Sequence, residues 1–422
     1  MTAGDIAWVT TSTALVMLMT PALGFFYAGL VRKKNLVSTL IQCLVIFAVI
    51  SLVWALWGYS LVFGPSVGGI IGDLSLIGLN NMPISQVNGT LAVAIPELLF
   101  FAFQLKFAAI TPALIIGACA ERIRFRSLLI FIVLWSTLIY APIAHWVWNP
   151  EGWLHNIGAI DFAGGLVVHV SAGLSALAAA LVLGKRRGCV FWKDELKSLD
   201  KKTSGDSAEA KPSNIPYVIL GAGLLWFGWF GFNGGSALAA NDLAVSAMVT
   251  TNLAAAGAAI SWMVLDWLRK GKPSAVGISI GAVVGLVAIT PAAGYVTVTG
   301  AIIIGLLAGV ISNLVASWRL ARTRIDDTLD VFACHGIGGI WGSIATGLFA
   351  VAAINGASGL LYGNLTQFTA QLLAVAVVVP FSFFGSYALL KVINLFSPLR
   401  VSPEEEDTGL DISQHGEEAY QL

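Results

Sequence analysis

The chain has 422 residues, of which 57% are hydrophobic and only 11% charged, with a mean hydropathy of +0.84 and a formal net charge of zero. Soluble domains carry roughly twice that charged fraction, so most of this chain cannot face water. The balanced charge leaves no basic footprint for nucleic acid and no bias toward acidic substrates.

A bilayer core is crossed by about 20 mostly apolar helical residues. Runs of that kind occupy 8–30, 36–63, 93–119, 127–148, 161–183, 217–239, 246–268, 275–293, 296–318, 327–352 and 368–392. They are too long for strands and end without hairpin signals. No Lys or Arg precedes the first run, so it reads as a span and not as a cleavable signal peptide. A Gly-rich stretch lies near Gly64–Gly78. Cys43, Cys119, Cys189 and Cys334 share no motif spacing, so neither a zinc site nor a disulfide framework is expected.

Charge placement tests the count independently. All but one of the 23 lysines and arginines fall in alternate connections: 32–34, 122–126, 185–211, 269–272, 319–324, and the end from Lys391 to Arg400. Such residues crowd the cytoplasmic side of membrane proteins. The pattern predicts an all-α polytopic membrane protein with eleven transmembrane helices, its N-terminus outside and its C-terminus inside. The exception is Lys106, inside the third run. Two cytoplasmic pieces are substantial. One is the loop from Gly184 to Pro216, where Phe191–Lys211 looks inserted and its alternating charges suggest a solvated segment. The other is the tail 401–422, whose acids lie between Glu404 and Glu418 with no Lys or Arg among them. It reads as a solvated, partly disordered end.

Five spans per half plus an extra C-terminal one suggest a five-plus-five inverted repeat, with halves at about 8–183 and 217–352 and the eleventh span at about 368–392. The fifth span contains His169-Val-Ser-Ala-Gly173 and the tenth contains His335-Gly-Ile-Gly-Gly339. An odd number of spans per half makes the halves antiparallel, a common transporter plan with the site near the midplane. His169 lies eight residues from Asp161 at the outer end, and His335 eleven from Arg324 at the inner end. At helical rise these are about 12 and about 16 Å, which together nearly span a core of about 30 Å. The two imidazoles are therefore expected at one depth. Either one alone would read as a hydrogen-bonded packing residue. A depth-matched pair on repeat-related helices reads as functional. No third ligand accompanies them for a metal, no nucleophile elbow supports hydrolysis, and no phosphate loop is present. An enzyme is therefore not expected, nor is a cofactor.

Longer motifs add a family. Thr11-Ser-Thr-Ala-Leu with Gly29-Leu-Val-Arg-Lys-Lys-Asn35 resembles the first span of the ammonium transporters (Amt/Mep/Rh). Ala109-Ile-Thr-Pro-Ala-Leu114 through Gly117-Ala-Cys-Ala-Glu-Arg122 and Trp229-Phe-Gly-Phe-Asn233 are similar to other parts of that family. Asp161-Phe-Ala-Gly-Gly165 through His169, and Asp326-Asp-Thr-Leu-Asp-Val-Phe332 through Gly339, resemble its two His segments. The tail from Glu404 to Tyr420 resembles its regulatory C-terminus.

The resemblance implies a homotrimer in the plasma or inner membrane, with one ammonium/ammonia pore per monomer. It implies that Trp148 and Ser236, bordered by Phe107, recruit ammonium at the outer mouth. Phe107 and Phe232 are then the gate, His169 and His335 line the pore, and Asp161 supports the outer site without touching substrate. A PII-type regulatory protein, or a signalling domain on the cytoplasmic side, is the implied partner of the tail and loops. Taken singly, Trp148 would read as a member of an aromatic belt with Trp146 and Trp153, and Asp161 as a first-turn acid.

Two departures stand out. The family's Asn-Ala-Gly-Ser reads Asn233-Gly-Gly-Ser236, which by itself adds backbone freedom. Phe103, Lys106 and Phe107 share a helix face at 100° per residue, which places a lysine on the expected pore side. A fixed charge there motivates a second reading, an ammonium sensor with slow or no conduction.

Overall fold

The computed structural model describes residues 1–80, 82, 85–188 and 212–420; Cys189 and the segment Phe191–Lys211 lie outside the described residues. Helices form in all eleven expected places. They are α1 (Ala3–Leu30), α2 (Lys33–Phe63), α3 (Glu97–Cys119), α4 (Phe125–Asn156, turning after Trp148), α5 (Gly165–Leu183), α6 (Ile215–Gly235) and α7 (Asp242–Arg269). After these come α8 (Ala275–Ile289), α9 (Val298–Arg322), α10 (Phe332–Ile337 continuing as Gly338–Phe349) and α11 (Leu365–Phe396). Among the described residues, nine are long and apolar enough to cross a membrane by themselves. The exceptions are α8, with 15 residues, and α10, which begins in a π-helical turn.

Several ends differ from the sequence boundaries for local reasons. The third span starts four residues late, because Ala92–Pro96 pairs with Val87–Asn88 as an antiparallel ribbon and Pro96 sits at the helix N-cap. A second small ribbon joins Ser66 to Gly72 and Val67 to Ile71. The fifth span starts at Gly165, because Asp161 caps it from outside.

The packing repeats. Within the first five helices, α1 meets α2 and α3, α2 meets α3, and α3 meets α5; α6 meets α7 and α8, α7 meets α8, and α8 meets α10 in the same way. The halves join where α1 lies along α6 and where α5 meets α10. Helix α11 covers α5.

The tail is ordered, which corrects the expectation of a solvated end. It forms α12 (Pro403–Thr408) and a π turn at Asp411–His415, and Glu406 and Asp411 are buried. Opposite charges on the loops it meets, and on Arg400 just before it, explain this. Glu405 pairs with Arg124, Glu406 with Arg400, and Asp407 with Arg187. The Lys34 ammonium donates to the Glu406 carbonyl at 3.0 Å.

Candidate functional site

The site is a column of aromatic rings where the halves meet. Helix α3 supplies Phe103 and Phe107, one turn apart with centroids 5.0 Å apart. Helix α6 brings Phe232 against Phe107, with centroids 4.1 Å apart and planes inclined by 30°. Trp148, at the turn of α4, meets the other side of Phe107 edge-on at 5.9 Å, and its indole N–H donates to the Asp161 carbonyl at 3.0 Å. Ser236 follows Phe232 by one turn and donates its hydroxyl back to the Phe232 carbonyl at 2.8 Å.

Beyond Phe232 come the imidazoles. The His169 ring is 6.2 Å from the Phe232 ring and lies nearly parallel to Trp229 at 5.4 Å. Trp229 is fixed by its indole N–H, which donates to the Thr290 hydroxyl at 2.9 Å. The Nδ1 atoms of His169 and His335 are 3.3 Å apart. Phe107, Phe232, His169 and His335 are each no more than 3% exposed. A narrow cavity runs past both imidazoles, walled by apolar side chains such as Leu23, Leu114, Val168 and Leu225, with about 10 Å³ of open space. That is about the room needed for one water-sized occupant.

Both histidines sit on π-helical turns, a widened geometry common at functional sites. The His169 amide donates to Gly164, five residues back, at 3.0 Å. Gly164 reaches that position at φ 111°, which is open to glycine. Asp161 then collects four amides. Its Oδ1 accepts from Gly164 and Gly165, and its Oδ2 accepts from Leu166 and Val167. Its carboxylate is thus fully used by the backbone beside Trp148.

Lys106 is elsewhere. Its ammonium lies over the Phe47 ring of α2, 5.1 Å from the centroid, and it does not line the cavity. The expected sharing of a face with Phe107 is corrected here. Positions 106 and 107 point about 100° apart on a helix, enough to turn one toward α2 and the other toward α6. The substitution at Gly234 is explained by packing instead of backbone freedom. A methyl group there would come within 2.7 Å of Met248 and 3.1 Å of Trp8.

A family model, Ammonium Transporter Family, matches residues 7–420. The chain is 48% identical over 420 residues to the ammonium transporter Amt1 of Archaeoglobus fulgidus, covering all of both chains. It is 44% identical over 420 residues to an ammonium transporter of Bacillus subtilis, covering 99% of this chain and 98% of that one. The crystal structure of Saccharomyces cerevisiae Mep2 superposes with a TM-score of 0.85 at 36% identity, covering 96% of this chain and 88% of that one. The chain belongs to the ammonium transporter family.

This family member also carries groups that sequence reading missed. Asp327, at the start of the α10 segment, accepts the Phe332 amide on Oδ2 at 2.7 Å. Its signal was available, since it precedes His335 by the same eight residues that separate Asp161 from His169. The basic end of the transporter is tied by an ion network. Glu121 receives Arg32 at 2.7 Å and Arg186 at 3.0 Å, and Arg186 also holds Asp326 at 2.9 Å. Burial would raise the Asp326 carboxyl, but Arg186 and Arg122 hold it down at about 2. Burial acts on Glu121 in the same way, and Arg186 and Arg32 outweigh it, leaving it below the usual carboxylate range.

Proposed function

We propose that ammonium crosses each monomer along the ring column, entering at Trp148 and Ser236, losing water at Phe107 and Phe232, and passing His169 and His335. One observation carries this reading. Trp148, Phe107, Phe232, His169 and His335 follow one another with ring-to-ring steps of 5.9, 4.1, 6.2 and 5.3 Å. The chain is a multi-pass membrane transporter by family, and this buried column is the passage the proposal assigns to its cargo.

The chemistry follows from the rings. An indole face attracts a cation by about 2 kcal/mol or more once water is partly removed. A serine hydroxyl oxygen accepts from an ammonium hydrogen. Between two phenyl rings a bare cation finds only ring faces, whose attraction offsets a small part of the lost hydration, so its burial is prohibitive. Ammonium escapes this by releasing its proton, which desolvation favours. Potassium has no such route. The neutral ammonia then needs only hydrogen-bond partners, which the imidazoles supply, and the released proton moves through the same pair. Asp161 keeps the outer mouth in shape through its four amides.

The same reading places the basic end in the cytoplasm, the protein in the plasma or inner membrane, and three monomers together. The docked tail is then the element that a PII-type regulator would engage. The sensor alternative loses the feature that motivated it, since Lys106 faces Phe47.

The test is uptake of labelled methylammonium into proteoliposomes by the native chain and by His169→Ala. A changed maximal rate with a retained fold supports the reading. An unchanged rate removes the imidazoles from the path.

A further inference from the structure

The two halves hold their histidines with the same device, used unequally. Each histidine follows a buried aspartate by eight residues, Asp161 for His169 and Asp327 for His335. The third residue after each aspartate is left-handed, Gly164 at φ 111° and Asp330 at φ 55°. At Asp330 the strain of a side chain in that region is held by Arg319, which donates to its Oδ1 at 2.8 and 3.1 Å. Each stretch then enters the π turn that carries the imidazole. The difference lies in the carboxylates. Asp161 accepts amides on both oxygens. Asp327 accepts Phe332 on Oδ2, with the Val331 amide also directed at the carboxylate, while its buried Oδ1 completes no hydrogen bond among the described residues.

We propose that Asp327 is a positioning residue for His335. Its Oδ2 fixes where the segment Phe332–Ile337 begins, and so the depth and direction from which His335 meets His169. The reason is geometric. The imidazoles approach to 3.3 Å, so a small slip of either segment breaks their contact. An uncapped first turn also leaves an amide without a partner in a low-dielectric site. This rests on the reading of the imidazole pair as part of the passage.

The unused oxygen predicts what the side chain tolerates. In Asp327→Asn the amide oxygen can accept from Phe332, and the NH2 group takes the place of Oδ1, which makes no hydrogen bond of its own in the native chain. In Asp161→Asn the NH2 group must face two backbone N–H groups, because both oxygens accept there.

The experiment measures methylammonium uptake in proteoliposomes for the full chain and for Asp327→Ala, Asp327→Asn, Asp161→Asn and His335→Ala. Asp327→Ala is expected to lower the maximal rate by about tenfold or more, since misplacement of about 1 Å is that costly. Half-saturation, set at the outer mouth, is expected to stay within about twofold, the split that marks a lost interaction beyond binding. Asp327→Asn is expected to keep most of the native rate and to exceed Asp161→Asn. The proposal is overturned if Asp327→Ala matches the native chain, if its loss appears in half-saturation, or if Asp327→Asn falls as far as Asp327→Ala. Should Asp327→Ala fail to fold, the two asparagine variants decide, and Asp327→Asn at or below Asp161→Asn overturns it. An unchanged His335→Ala would remove the underlying reading instead, whereas a slowed His335→Ala with native-like Asp327→Ala refutes the role of Asp327 alone.

Discussion

Gly173 lies directly against Gly336, so the helix that carries His169 crosses the helix that carries His335 with no side chain between them. The contact is nearly reciprocal, since Gly339 faces Gly165 and Val170, with 3.0 Å to each for an added methyl group. A methyl group at Gly173 would overlap the Gly336 backbone, which cannot rotate aside. Gly173→Ala is therefore expected to destabilise the fold by about 1–3 kcal/mol, the usual range for overpacking, and to slow uptake by parting the imidazoles. Gly339→Ala meets looser neighbours and should cost less. Thermal unfolding in detergent orders the two, and the reverse order would show that the crossing is not the tight point.

Lys106 offers a clean separation of structure from transport. Its ammonium rests on Phe47, away from the ring column. Such a contact contributes about 0.5–1 kcal/mol at a partly exposed site. Lys106→Met keeps the length and the apolar stem, so uptake should stay within about twofold and stability within about 1 kcal/mol of the native chain. Uptake that appears only in Lys106→Met would show instead that the lysine holds transport shut.

Phe232 tests selectivity. It closes on Phe107 at 4.1 Å and touches the rings of His169 and Trp229 on its other side. On the proposed path, truncation opens the desolvating step to water. Phe232→Ala should cost about 3–5 kcal/mol of stability as a buried aromatic deletion, and on the proposed path it should admit rubidium, an ion that cannot shed its charge to pass an intact stack. Rubidium uptake into vesicles is the readout. Rubidium still excluded by a folded Phe232→Ala would place the selectivity step elsewhere.

Much of this was legible in the sequence because the bilayer imposes it. Spans and basic loops follow from length and charge alone, and the depth estimate for His169 and His335 agrees with imidazoles found 3.3 Å apart. Lys106 was misplaced because three residues on one broad face still diverge by up to 100° around the helix, and which neighbour each meets depends on tertiary packing. The tail was misread because its acids look solvated when counted by themselves. Two of their partners, Arg124 and Arg187, lie in other parts of the chain, and the third, Arg400, stands just before the tail. Asp327 is marked only by its eight-residue spacing to His335, which matches that of Asp161 to His169, and the spacing acquires a meaning once the backbone shows that Asp327 caps the helix.

The tail itself carries a pH-dependent contact. Asp411 caps α2 by accepting the amides of Val37 at 3.1 Å and Ser38 at 2.7 Å, and the Leu410 amide donates to the Asn35 side chain at 2.8 Å. Losing such a cap costs about 0.5–2 kcal/mol, so Asp411→Ala should release the tail at any pH. His415 stands beside this cap, with Nε2 3.2 Å from the Ser38 hydroxyl and its ring edge-on to Phe125 at 5.0 Å. Burial pushes the imidazole below its ordinary value, only partly offset by Asp411 and Glu417. A depressed value means that the docked tail binds fewer protons than the free one. Docking is therefore full above the ordinary histidine value of about 6.5 and weakens as pH falls through the docked value. Burial raises Asp411, partly offset by the Ser38 and Val37 amides, so its docking contribution runs in the opposite direction, but in the carboxylate range. The change between pH 7.5 and 5.5 should thus belong to His415. Amide exchange across residues 403–420, corrected for intrinsic rates, should be slower at the higher pH in the native chain and nearly pH-independent in His415→Gln. An equal pH effect in both would assign the titration to another group.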